Sequence, residues 1–254
     1  MKKLQPGSLL CFSPPVMIAT FAIELFLAIY ITMRYKMTPV TRLAAYILFF
    51  LAVFQLAEYN ICEGSFGIDS LSWSRLGYVA ITALPPLGIH LATKILGRKE
   101  PLLVGSAYAT GILFALFFMF SGNGLTSSAC LGNYVIFSTA PMAVPLYALY
   151  YYGWLFVGTI YAWHGAQKPN VPKNIKAASM ALSVGYMAFI IPTTMVNLIE
   201  PETIGAIPSI MCGFAVLLAL VLAGEVLPKY FKRPALSELM GNERVANGRN
   251  KKKL

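Results

Sequence analysis

Seven stretches of this chain stay apolar for long enough to cross a lipid bilayer, and no other feature narrows its fold so sharply. A hydrocarbon core of ~30 Å needs about 20 apolar residues at the ~1.5 Å helical rise. Such runs fall at about 15–33, 42–60, 73–95, 101–121, 142–163, 175–198 and 205–228, to within a few residues at each end. Ile47 to Val53 and Val216 to Ala223 are apolar at every position, unlike the alternating strands of a membrane barrel. With no water in the bilayer, each backbone group has to be paired inside its own helix. Composition agrees: 57% of residues are apolar or aromatic, 12% are charged and mean hydropathy is +0.66, against about 25% charged in soluble domains. The expected fold is all-α, a polytopic seven-transmembrane-helix bundle.

Orientation follows from Lys and Arg, which collect in cytoplasmic loops. Arg34, Lys36 and Arg42 fall in the first loop, Lys94, Arg98 and Lys99 in the third, and Lys168, Lys173 and Lys176 in the fifth. Eight more run from Lys229 to Lys253, so seventeen of the twenty basic residues share one face. The opposite face holds Lys2, Lys3 and Arg75 against Glu58, Glu63, Asp69, Glu200 and Glu202. An odd number of spans puts the basic tail on the basic face, so the N-terminus is expected outside and the C-terminus in the cytoplasm, in a multi-pass protein of the plasma (inner) membrane. The net charge of +10 lies beside membrane ends, where anionic lipid attracts it; membrane lipids rather than nucleic acid are the expected partners. Lys2 and Lys3 imitate a signal peptide, but no small-residue cleavage site follows, and the segment is read as retained. The chain divides into roughly 1–14, an extracytoplasmic segment; 15–231, the seven-helix domain; and 232–254, a basic cytoplasmic tail expected to be disordered.

Cys11, Cys62 and Cys130 fall on the expected outer side, where oxidation is possible. A Cys62–Cys130 disulfide would join the second and fourth loops; three free thiols are the alternative. Pro85-Pro86 removes two backbone donors from the third span and is expected to kink it. The fifth span carries Tyr147, Tyr150, Tyr151, Tyr152 and Trp154, an aromatic surface on its outer half. In the sixth, Ala177, Ala181 and Gly185 recur every four residues, a pattern for close helix packing or for a lipid-facing seam in a homo-oligomer. The loop from Ser121 to Ala140 is long for a bundle and is expected to fold over the outer face.

Polar groups inside a membrane are costly, so each is a candidate for function. Glu24 lies about 10 residues into the first span, near the midplane, with no basic residue at that depth; it is a candidate proton or cation site, or a carboxyl hydrogen-bonded to another helix. Gln55 and Glu58 end the second span, with Trp73, Arg75 and Tyr78 across the short second loop. Glu58 and Arg75 are expected to pair, either lining an outward ligand pocket or bridging two helices. His90 is expected to make a structural hydrogen bond, because metal ligation needs three or four donors; no metal and no cofactor is expected. The seventh span has no lysine for a retinal Schiff base, and phosphate-loop, paired-histidine and serine-nucleophile motifs are absent, so the protein is expected not to be an enzyme.

From Trp73-Ser74-Arg75-Leu76-Gly77-Tyr78, through Leu84-Pro85-Pro86-Leu87-Gly88-Ile89-His90-Leu91, to Gly97-Arg98, the third span resembles the seven-helix sensor region at the N-terminus of many prokaryotic histidine kinases and diguanylate cyclases. There a Trp, a nearby aromatic residue, one or two prolines and a terminal Gly-Arg mark the third helix. Ile191-Pro192 followed by Asn197 is similar to that family's sixth helix. The family continues into a coiled-coil linker and a catalytic domain, whereas this sequence ends about 25 residues after its last apolar run. The resemblance therefore implies a separate signalling protein at the cytoplasmic face.

The reading is a receptor-like sensor module that binds a small or lipid-like ligand through Gln55, Glu58, Trp73, Arg75, Tyr78 and Asn197. Two alternatives stand beside it: a small transporter coupled to protons or cations at Glu24, and a non-enzymatic membrane assembly subunit.

Overall fold

A helix in a membrane has to satisfy its own ends, and the chain places caps and prolines accordingly. The structure, a computed structural model, describes residues 14–130, 135–199 and 207–232. Helix α1 (Pro14–Arg34) is followed by α2 (Pro39–Glu63). Thr38 caps α2, its side chain accepting the Thr41 amide, with Pro39 in the first turn, where no amide is needed. At the other end Gly64 adopts φ 67° and returns its amide to the Asn60 carbonyl. Asp69 caps α3 (Ser70–Thr82), and Pro101 opens α5 (Pro101–Phe120).

The third apolar run is two helices. Helix α3 stops at Thr82, α4 runs Leu84–Ile95, and Ala83 joins them just before the two prolines. Next come strands β1 (Ser127–Cys130) and β2 (Val135–Ser138), then α6 (Ala143–Gln167), α7 (Lys173–Ile199) and α8 (Ile207–Val221). A π-helical turn, Leu222–Val226, carries the last helix into α9 (Leu227–Phe231). Among the described residues, six helical stretches are long and apolar enough to cross a membrane: α1, α2, α3 with α4, α5, α7, and Ile207–Phe231. The chain is a multi-pass helical membrane protein. Helix α6 is equally long, at 25 residues, but is not among the six.

The helices close into a ring: α2 lies between α1 and α3, α4 meets α6, α7 lies between α6 and α8, and α8 returns to α1 and α2. Helix α5 rests on the outside against α3 and α4, and only Ala107, Gly111 and Phe118 of it are buried. Helix α1 turns one stripe inward, Met17, Thr20, Glu24, Ala28 and Ile31, the three- and four-residue spacing of a single helical face.

Because lipid is as apolar as a leucine side chain, small residues and hydrogen bonds bind the helices together. Ser179 donates to the Ala162 carbonyl (2.9 Å) and Ser183 to the Thr159 carbonyl (3.2 Å), tying α7 to α6. The Ala177, Ala181 and Gly185 repeat is not a lipid-facing seam. A Cβ at Gly185 would come within 3.0 Å of Leu218 and Val221, so this face packs against α8 inside the chain.

The loop after α5 departs from a purely helical fold: β1 and β2 pair antiparallel, Cys130 opposite Val135. This hairpin lies against α2 and α3, and Cys130 is disulfide-bonded to Cys62 at the end of α2. Cys11, Glu200, Glu202 and all but Lys232 of the tail 232–254 lie outside the described residues, as do 1–13 of the N-terminal segment.

Candidate functional site

Pro86 cannot donate to the carbonyl four residues before it, that of Thr82. The Tyr150 hydroxyl, from α6, donates to that carbonyl at 2.6 Å. Thr82 sends its own hydroxyl proton to the Tyr78 carbonyl (2.6 Å), and the Tyr147 hydroxyl lies 2.9 Å from the same Thr82 oxygen, placed to donate. The break between α3 and α4 is thus held to α6 by two buried tyrosines. Gly111 of α5 leaves the room: a Cβ there would stand 2.8 Å from the Tyr150 hydroxyl.

Beside this staple is a cavity of about 180 Å³. Tyr78 of α3, Phe118 of α5, Phe137 of β2, Tyr147 and Tyr151 of α6 and Met211 of α8 form its wall, together with Val144 and Pro208 from the first turns of α6 and α8. The aromatic rings are mutually packed: Tyr78 lies 4.6 Å from Phe118 and 5.1 Å from Phe137, centroid to centroid, and Phe118 is 4.9 Å from Tyr147. Such a space suits a small apolar body, since apolar cavities of about 150 Å³ stay dry and take up benzene. Leu51, Leu155, Phe189 and Leu218 are buried around a second, much smaller space of about 10 Å³.

The site residues expected from the sequence are only partly brought together. Tyr78 lines the cavity; Gln55, Glu58, Trp73 and Arg75 do not. Gln55 and Glu58 turn inward, at 2% and 1% exposure, while Glu63 ends α2 exposed. Glu58 does not pair with Arg75: Glu58 Oε1 and Arg75 Nε are both without a hydrogen-bond partner among the described residues. The partner of Glu58 is Ser209 of α8, whose oxygen also accepts the Val135 amide at 3.2 Å. Val135 opens β2 opposite the disulfide-bonded Cys130, so Ser209 links Glu58 to the hairpin. Trp73 is buried with its ring 6.4 Å from Phe66. The side chain of Asn197, within α7, lies outside the described residues.

Glu24 is fully buried, and neither of its carboxyl oxygens has a hydrogen-bond partner among the described residues. One oxygen of Glu58 is likewise unpartnered, and the two side chains are near enough to act on one another electrostatically. His90 contacts the Tyr108 hydroxyl at 3.2 Å across α4 and α5. Among the described residues no three His, Cys, Asp or Glu side chains are grouped to hold a metal ion.

Sequence reasoning missed the wall from Phe118, Phe137 and Met211, and missed Ser209. Two signals pointed toward it: the tyrosine run of α6, and a proline pair whose freed carbonyls require donors from elsewhere. The chain matches no protein-family model, and no curated protein matches it.

Proposed function

We propose that this chain is a seven-span, receptor-like membrane sensor with its N-terminus outside, its C-terminus in the cytoplasm and α6 as the additional span. It takes a small apolar or lipid-like ligand into the cavity under the hairpin and reports occupancy to a separate protein at the basic face. One observation carries this reading: Tyr147 belongs both to the cavity wall and to the hydrogen bonds that hold the α3–α4 break. A ligand that shifts the Tyr147 ring competes with its bond to Thr82, and the hinge between α3 and α4 can then pivot. The buried apolar packing of Leu51, Leu155, Phe189 and Leu218 supports reception over passage, and the similarity of the third span to kinase sensor regions agrees in kind.

The test is thermal unfolding of the purified chain against a library of fatty acids, isoprenoids and small aromatics, with Ala148→Phe beside it. Ala148 lines the cavity, and a phenyl group there fills it. A ligand should raise the melting temperature of the wild type and not of the variant. Equal shifts in both would sink the proposal.

Coupled transport of protons or cations is the second reading, favoured by the unpartnered carboxyl of Glu24. Flux in liposomes that Glu24→Gln abolishes would support it, and the absence of flux would remove it.

A further inference from the structure

At the end of the bundle opposite the hairpin, α4, the turn between α6 and α7, and α9 surround an open groove of about 610 Å³. Every charged residue lining it is basic: Lys94 in the last turn of α4, Arg98 just beyond that helix, and Lys168 where α6 ends. None of the three forms an ion pair with a described residue. Arg98 is steadied by a hydrogen bond with the Tyr161 hydroxyl, which also reaches Glu100 at 3.3 Å; Glu100 itself does not line the groove. Beside the cations and Asn170, Ile95, Leu96 and Ile175 give the groove apolar lining. Three like charges brought together from separate segments call for an anion, and the apolar lining beside them calls for carbon.

We propose that this groove binds an anionic phospholipid, its phosphate held by Lys94, Arg98 and Lys168 and its first methylenes laid on Ile95, Leu96 and Ile175. The groove lies where spanning helices end, the level at which headgroups sit and at which anionic lipid attracts Lys and Arg. A soluble phosphate would leave the apolar lining wet. The chain's own C-terminal residues are poorly matched to the groove, since from 233 onward they carry six basic residues against Glu238 and Glu243. The site is independent of the ligand cavity at the other end.

Native mass spectrometry of the full chain tests it, with phosphatidylglycerol and phosphatidylcholine of identical acyl chains added in turn. The wild type should favour the anionic lipid by roughly tenfold, from about one favourable contact per cation partly offset by lost lipid freedom. Lys94→Gln/Arg98→Gln/Lys168→Gln should cut that preference to below roughly twofold, and Lys168→Gln alone should fall between, since each cation contributes separately. The exchange Lys94→Arg/Lys168→Arg should keep it. So should Lys36→Gln/Arg42→Gln/Lys232→Gln, which removes three exposed cations outside the groove. Unchanged preference in the groove variants overturns the proposal, as does equal loss in the control, which would mean diffuse attraction. Glycerol 3-phosphate should not displace the lipid; if it binds as well as the lipid does, the site takes soluble phosphate and the lipid assignment fails.

Discussion

Replacing Tyr150 with Phe removes one oxygen, and the structure says what that oxygen holds. The Thr82 carbonyl is buried, has lost its helical donor to Pro86, and receives the Tyr150 hydroxyl at 2.6 Å. Hydrogen bonds between membrane helices average ~0.6 kcal/mol and reach ~1.7, and a buried acceptor left without a donor costs about 1–3 kcal/mol. Tyr150→Phe should therefore destabilise the bundle by about 1–2 kcal/mol. Tyr147→Phe should cost less, about 0.5 kcal/mol, because the Thr82 hydroxyl keeps its bond to the Tyr78 carbonyl. The deciding measurement is a double-mutant cycle with Pro86→Ala. An alanine amide returns the missing donor to Thr82, so in that background Tyr150→Phe should be nearly neutral, a coupling of about 1 kcal/mol. Reversible unfolding in mixed micelles reads all four proteins. If Tyr150→Phe costs the same with and without Pro86, the tyrosine is not compensating for the proline, and the staple is wrongly drawn.

Other perturbations have equally definite outcomes. Cys62→Ser should lower stability by about 3–4 kcal/mol, since the bond closes a loop of 68 residues; alkylation of both thiols without reductant would show that no such bond forms. Gly88→Ala drives a Cβ into the Tyr186 hydroxyl, so it should cost about 1–3 kcal/mol and be partly rescued by Tyr186→Phe; no rescue would locate the strain elsewhere. Glu24→Leu removes two unpartnered buried oxygens and should raise stability by about 1–3 kcal/mol, whereas a loss on unfolding assay would mean the carboxyl has a partner. Hydrogen bonds from the Ser72 hydroxyl and amide hold the exposed Asp69 carboxyl below the usual aspartate range. Its capping contribution is complete above the unfolded value of about 3.9 and fades as pH falls through the lower folded value. Exchange of the Ser72 amide should accelerate in that acid window, and Asp69→Ala should abolish the pH dependence.

The helices are legible in the chain itself, because each is settled locally. A bilayer admits only helices whose backbone bonds lie within one segment, so length and apolarity alone placed α1 at Pro14–Arg34 and α5 at Pro101–Phe120 within a residue or two of the apolar runs. The proline break in the third span was legible for the same reason, since a missing amide is a property of the residue. Which faces meet is settled only between distant segments. A helix's rotation and tilt are set by neighbours far along the chain, and sequence spacing could not foresee that Glu58 turns away from Arg75 toward Ser209. Nor could it show that the carbonyl released by Pro86 is collected by Tyr150, or that a hairpin hidden in a polar loop supplies Phe137 to the cavity. Those contacts join α3, α5, α6, α8 and β2, and they exist only once the ring of helices has closed.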